Sequence, residues 1–509
     1  MTRGPALSWV AALALCACLP ASGASKPAEG KEIERVGTKP FAFGSMAIGQ
    51  SKDLDHARAE GLGLVPATPL DAYLNGILGR LLEQSPVSGV PARVYVRASN
   101  EWSAKSTADA NIYVSLGILL RLDSEDEVAA LLAHEASHVI LGHANSDVVQ
   151  NAQRRAIQLS ALAVDAQRAV AEARGKGSTT SAEGVRSDEQ TRALVLNAAL
   201  LSPAWTRGQE RNADRLGTDL LVRAGYSPEG MASLLEKQKK FEAERAADPQ
   251  AVSLDQQLLG YDVVDKGNKQ VAKATAQQGA AGELLGALAG AALARSRDAV
   301  AKQLDEGSRS HPKTGERIGD MRAYVAQEYG TVERPPPRIE SWEAAKEADG
   351  TVDLLENYIA AIEAKSALSS GNVASARSLA KAGLSGSTGA HAYPRYVDAA
   401  VQTAAGEPAQ ALADYEAALA GPEPAGAIYS AASALLLAAG QHERAVDVME
   451  SGYRRLQEAP SLTVPMINAY RVAGRQEDAD RLAAECALRW PTLQQVCADE
   501  AAGRAKVKQ

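Results

Sequence analysis

Apolar residues between Pro69 and Leu82 fall at Leu70, Tyr73, Leu74, Ile77, Leu78, Leu81 and Leu82. That spacing predicts an amphipathic helix over TPLDAYLNGILGRLLEQSP. ARVYVRAS alternates and is β-branched, so it reads as a strand; NIYVS, from Asn111 to Ser115, reads as a second, with Gly117 marking the turn that follows. SEDEVAALLAHEASHVILGHA opens on Ser124 with Glu127 three residues later, the spacing of a capping box. The stretch is therefore a helix, apolar over most of its length, that nevertheless carries His134, Glu135, His138 and, past its end, His143. Residues 146–190 read as polar helix that loses its pattern in a loop at GKGSTTSAEGVRS. Helices resume at TRALVLNAAL and RGQERNADRLGTDLLVRAG. GAAGELLGALAGAALARS is interrupted by Glu283 and too short to cross a bilayer, which leaves a buried helix or an Ala/Gly segment as its readings. ERPPPR, residues 333–338, reads as a stiff boundary.

Beyond that boundary the pattern repeats. Gly371, Gly406, Gly440 and Gly474 recur at intervals of about 34 residues, and an alanine follows five positions after each: Ala376, Ala411, Ala445 and Ala479. A glycine at the turn within a helix pair and a small residue where the helices cross is the signature of the tetratricopeptide repeat, and Pro491 falls where such a repeat ends. Stacked pairs of this kind form a curved array with a concave binding face.

Composition and charge add three constraints. The chain has 509 residues, 46% hydrophobic and only 4% aromatic, so its helices should pack through small side chains. The formal net charge of −8 gives no electrostatic reason to expect nucleic acid. Residues 1–24 combine Arg3, an apolar run and small residues up to Ala24, which reads as a secretory signal peptide. LCAC also resembles a lipobox with Cys18 lipidated, so a free periplasmic form and a peripheral, lipid-anchored one both stay open; the mature chain shows no membrane-spanning run. In an oxidising compartment Cys486 and Cys497 are expected to form a disulfide, two buried thiols being the alternative.

The candidate chemistry lies in HEASH. His134 and His138 are four apart, so a helix projects both imidazoles from one face, where two neutral nitrogens can grip one Zn²⁺. Glu135 lies between them, placed to hold water rather than the metal. Glu210, in ERNADRLG on a later helix, is the candidate third ligand, and Asp214 one turn on can orient a ligand histidine. His143 is not at ligand spacing and reads as a structural or supporting histidine.

EVAALLAHEASHVILGHA, ERNADRLGTDLLVRAGYSP and SHPKTGERI, in that order, resemble the M48 metallopeptidases from about Leu62 to Tyr324. With the repeats, the nearest resemblance is to the periplasmic, repeat-bearing subgroup of that family. The resemblance implies a mainly α chain: an α+β zincin-like metallopeptidase domain with a small sheet over residues 25–332, a linker at 333–345, and an all-α tetratricopeptide solenoid at 346–509. It implies one zinc per subunit on His134, His138 and Glu210, with Glu135 as general base and Asp214 behind a ligand. His311 and Arg317 would lie near the substrate or the developing oxyanion, and His311 could reach the metal. The stretch SAKSTADANIYVS departs from the family at Ser103-Ala104 and Asp109-Ala110; there the family has an edge strand that pairs with substrate, expected here along Asn111, Ile112, Tyr113, Val114 and Ser115. Two functions follow: a zinc endopeptidase acting on misfolded or stalled outer-membrane polypeptides, or a chaperone or assembly factor working through its repeats. In either case the outer-membrane assembly machinery is a partner that the repeats could dock.

Overall fold

The computed structural model describes residues 31–60, 63–145, 205–247 and 314–503. The expected signal peptide, the lipidation site at Cys18, the segments from 146 to 204 and from 248 to 313, and with them His311, lie outside the described residues.

The N-terminal region opens with helix α1 (Glu32–Val36), strand β1 (Lys39–Pro40) and helices α2 (Gln50–Ala59) and α3 (Thr68–Glu83). Strands β2 (Val87–Ser88), β3 (Arg93–Arg97), β4 (Ala104–Ser106) and β5 (Asn111–Ser115) follow, then helices α4 (Leu116–Leu119) and α5 (Glu125–Ile140). Helices α6 (Arg207–Arg223), α7 (Gly230–Ala247) and α8 (Thr314–Tyr329) complete it. β1 pairs with β2, and β3, β5 and β4 form a three-stranded sheet in that order, β5 being parallel to β3 and antiparallel to β4. Alternation along β5 divides its side chains. Ile112 and Val114 join the main core with Leu74, Leu78, Leu81 and Leu132. Asn111 and Tyr113 turn the other way and donate to Asp53 Oδ2 on α2, at 2.7 and 2.8 Å.

This topology corrects the expected substrate strand. β5 is central, bonded on one side to β3 and on the other to the β4 segment, where Ser115 N donates to Ser103 O (2.9 Å) and Thr107 N to Asn111 O (2.9 Å). A strand paired on both sides has no backbone groups left for a further chain. The sheet's edge on this side is β4. Because Ser103 and Thr107 bond inward, alternation turns the backbone groups of Ala104 and Ser106 outward.

α5 is buried along all sixteen residues. Its acidic first turn suits the positive end of a helix, and each carboxylate also holds another segment. Glu125 accepts from Tyr73, Arg80 and Tyr226; Asp126 accepts from the backbone of Ser227 and Arg338; Glu127 accepts from Ser233 and from the backbone of Asp123. Ser124 caps the helix through Glu127 N at 3.2 Å, but Glu127 reaches back to Asp123 rather than to the cap, so only half of the expected box forms. α6 crosses α5 at Gly217, where a Cβ would lie 2.8 Å from Met231 Cε and 3.2 Å from His134 N. A side chain there would displace Met231 and press on the α5 backbone, so glycine favours this close approach of the two motif helices.

Residues 333–345 are not a bare linker. Ile339–Lys346 forms helix α9, whose Trp342 is 1% exposed, stacks on Tyr73 and donates to Leu122 O at 2.8 Å. Apolar burial of this one tryptophan docks the segment on the domain.

Eight helices then form four antiparallel pairs: α10 (Thr351–Ser369) with α11 (Val373–Gly383), α12 (Ala392–Ala404) with α13 (Pro408–Ala420), α14 (Gly426–Ala438) with α15 (His442–Arg455), and α16 (Pro460–Val472) with α17 (Gln476–Arg489). The four repeat glycines sit at the intra-pair turns with φ between 74° and 80°, and the four alanines are fully buried at the crossings. The result is an array of helix pairs that keeps the 34-residue interval, closed by α18 (Gln494–Ala501) and by a Cys486–Cys497 disulfide of 2.03 Å. The array also folds back on α2. Arg58 pairs with Glu423 through two bonds of 2.6 and 3.0 Å, Gln457 donates to Asp55, and Gly426 packs so closely on Ala59 that a Cβ would meet its carbonyl oxygen at 2.3 Å.

Candidate metal centre

α5 supplies His134 and His138 from adjacent turns of one face, and α6 supplies Glu210 from its first turn. Thr206 and Gln209 form a full capping box that fixes where that helix starts. One donor atom from each of the three residues can be chosen so that all lie within 4.8 Å of one another, and all three residues are buried. His134 Nε2 and His138 Nε2 are 3.1 Å apart; Glu210 Oε2 is 3.8 Å from the first and Oε1 is 3.8 Å from the second.

The other ring nitrogens are already engaged. His134 Nδ1 lies 2.9 Å from Asp214 Oδ1, and His138 Nδ1 lies 2.8 Å from His143 Nδ1. A proton on each of these Nδ1 atoms leaves both Nε2 lone pairs directed at the common point beside Glu210. Burial drives the His138 pKa well below its ordinary value, and the charges of His134, His143 and Arg317 push the same way, so this ring is held neutral, as a ligand must be. Burial and His134 bring His143 down to about 4. Burial alone would lower His134, but the hydrogen bond and charge of Asp214, with Glu210, raise it. Asp214 is held at about 2 despite its burial, because Arg317 and His134 both favour its charged form.

Glu135 stands on the same helix, 5% exposed, with Oε2 making no hydrogen bond among the described residues. Desolvation raises its pKa first; Glu210 adds to this, while His134, Ser106 and Arg317 oppose it. An orphaned buried carboxylate oxygen is costly unless something else meets it. Here it borders two converging imidazoles and a carboxylate, a donor set that suits zinc with one position open. The residues present therefore fit a metal ion with water beside Glu135.

Three further side chains complete the surroundings of the centre. Arg317 was expected at the substrate. Its guanidinium grips Asp214 through Nε (2.9 Å) and Nη2 (2.7 Å) and reaches Glu210 Oε2 through Nη1 (3.0 Å), so its fork engages one candidate ligand and the residue behind another. His143 sits directly behind His138, in the supporting place that its position past the end of the helix gave it. Trp205 stacks on the His138 ring at 4.4 Å and walls the centre; a lone tryptophan before a helix start carries no pattern that could have announced this.

An HExxH helix joined by a glutamate from a second buried helix defines a metallopeptidase-type centre. A model of Peptidase family M48 matches residues 70–325, just over half of the 509 residues, and the chain belongs to that family. Among curated relatives, the chain is 25% identical over 168 residues to "Beta-barrel assembly-enhancing protease" of Yersinia pestis, covering 33% of this chain and 32% of that protein. It is 31% identical over 160 residues to "Metalloprotease LoiP" of Escherichia coli (strain K12), covering 31% of this chain and 56% of that one. It is 24% identical over 176 residues to "Mitochondrial metalloendopeptidase OMA1" of Schizosaccharomyces pombe, covering 35% and 46%. The aligned parts span between about a third and just over half of these relatives' own lengths.

Proposed function

We propose that this chain is a zinc-dependent endopeptidase of the bacterial cell envelope that hydrolyses misfolded or stalled outer-membrane polypeptides, with the helical array docking a client or partner. The observation that carries this reading is the convergence of His134, His138 and Glu210 beside the buried carboxylate of Glu135. The name of one M48 relative, a β-barrel assembly-enhancing protease, points to outer-membrane proteins as the client class.

His134 Nε2, His138 Nε2 and a Glu210 oxygen would hold the ion. Zinc bound there supplies a Lewis acid that polarises the scissile carbonyl and lowers the pKa of water. The chain's own residues do the rest. Asp214 and His143 fix the two rings, and Arg317 ties Asp214 to Glu210 so that the donors keep their spacing. Glu135 takes the proton of the attacking water and returns it to the leaving amine, a transfer favoured by its raised pKa. The outward backbone groups of Ala104 and Ser106 offer an edge for an extended polypeptide, and Ser106 adjoins Glu135.

The test is cleavage of reduced, carboxymethylated casein by the zinc-loaded chain against Glu135→Gln. The substitution should lower the rate by about 10²–10⁴-fold while zinc content stays the same. Equal cleavage by both proteins would remove Glu135 from the reaction. If neither cleaves and the array still binds unfolded outer-membrane protein, the chaperone reading replaces this one.

A further inference from the structure

Edge strand β4 carries a polar side chain that the reaction above leaves without a task. In the antiparallel pairing of β4 with β5, Ser106 lies opposite Ile112 and Ala104 opposite Val114. Residues opposite one another share a face of the sheet, and Ile112 and Val114 point into the core with Leu132 of α5. The Ser106 side chain therefore projects toward α5, which packs across β4, and the residue is only 2% exposed. There it adjoins Glu135, the proposed base. Ser106 Oγ is buried and completes no hydrogen bond among the described residues, and neither does Glu135 Oε2. A buried hydroxyl without a partner is costly, and alanine would pack in its place without that cost. The other groups that act on Glu135 are committed elsewhere. His134 and Glu210 are candidate ligands, and the three guanidinium nitrogens of Arg317 reach Asp214 and Glu210. Among these groups Ser106 alone brings an uncommitted donor.

We propose that Ser106 is the positioning residue of the general base: its hydroxyl donates to one oxygen of the Glu135 carboxylate and keeps the other aimed at the attacking water. The inference rests on the endopeptidase reading above. Hydrogen bonds of this kind are often long in a free enzyme and tighten once substrate is in place, which accounts for a neighbouring donor and acceptor that stop short of a full bond at rest. Ser106 is also suited to sense that moment. Its main chain is one of the two outward-facing positions of β4, so the residue borders an incoming polypeptide with its backbone and the base with its side chain. A chain that pairs with the edge thereby presses Ser106 toward Glu135, and the base is held firmly only while a substrate is bound.

The test compares the full zinc-loaded chain with three variants on a quenched peptide taken from a casein sequence that the parent cuts. Ser106→Ala should lower kcat by about 10–100-fold, the usual loss when the partner that orients an active-site group is removed, with zinc content unchanged. KM should stay within about twofold, because the lost contact serves the reaction and the edge binds through backbone. Ser106→Thr keeps the hydroxyl and should return to within about threefold of the parent, while Ser106→Val, of the same shape without the hydroxyl, should stay as slow as alanine. A second readout needs no metal. The hydroxyl completes no bond at rest, so zinc-free Ser106→Ala should melt at or above the temperature of the zinc-free parent. Should threonine crowd the site and fail to fold, the alanine split and the melting temperature decide. A parental kcat in Ser106→Ala, a loss carried wholly by KM, folded threonine and valine variants that are equally slow, or a clear fall in the zinc-free melting temperature each overturns the inference while the hydrolase reading stands on Glu135→Gln. A zinc-loaded parent that cuts neither peptide nor casein overturns both.

Discussion

Two tight helix crossings in this molecule are built from the same device and filled with opposite contents. α5 and α6 approach through Gly217, and the array's pairs through Ala376, Ala411, Ala445 and Ala479; in both, a missing side chain lets backbones close. The array then buries mainly alanine, tyrosine and leucine. The α5–α6 crossing buries His134, Glu135, His138, Glu210 and Asp214. Burying that many ionisable groups is costly unless each finds a partner. Asp214 has two, Glu210 has Arg317, and Glu135 Oε2 has none among the described residues. The lesson is that close approach serves stability in one region and assembles donors in the other, so substitutions in the two regions should report on different observables.

The largest contrast should come from Ala445→Leu. Ala445 is fully exposure-free at its crossing, so added volume forces the pair apart and should cost about 1–3 kcal/mol. The melting temperature falls, while zinc affinity by chelator competition is unchanged. A shift in zinc affinity would mean that the array and the centre are mechanically coupled. Next comes His143→Ala, which removes the partner of His138 Nδ1 and should weaken zinc binding by about 10–100-fold with little change in melting temperature. Unaltered affinity would reduce His143 to a packing residue.

The smallest effect belongs to the junction between the regions. Desolvation raises Asp71 to about 6 from 3.8, and Glu423 of the array contributes. The folded state therefore holds a proton that the unfolded chain has lost. The stability this adds is complete below about 4 and disappears as pH rises through about 6. Asp71→Asn should flatten the melting temperature over that window, and a curve parallel to the parent's would place Asp71 in an ordinary solvated setting.

The sequence carried these regions unequally. The 34-residue interval located all four turns and crossings, because a repeat must satisfy the same stereochemistry each time at Gly371, Gly406, Gly440 and Gly474. The HExxH spacing put His134 and His138 on one face for the same local reason. What needed the folded chain was everything set by neighbours distant in sequence. Asn111–Ser115 reads as a strand, yet nothing in its five residues says that β3 and β4 flank it on both sides. Three prolines announce a linker and conceal the helix that Trp342 docks. The family resemblance put Arg317 near the substrate or the oxyanion, and only the folded chain shows its fork on Asp214 and Glu210. Trp205 and His143 act through rings that meet His138 in space.

The central claim is that three side chains from two helices hold one ion. Zinc content measured by inductively coupled plasma mass spectrometry on the purified chain and on Glu210→Ala, with both shown to be folded by circular dichroism, tests it most directly. The account predicts one zinc per parent chain and a loss of most of it in the variant; a folded parent that carries and gains no zinc, or a variant that keeps the full complement, would contradict it.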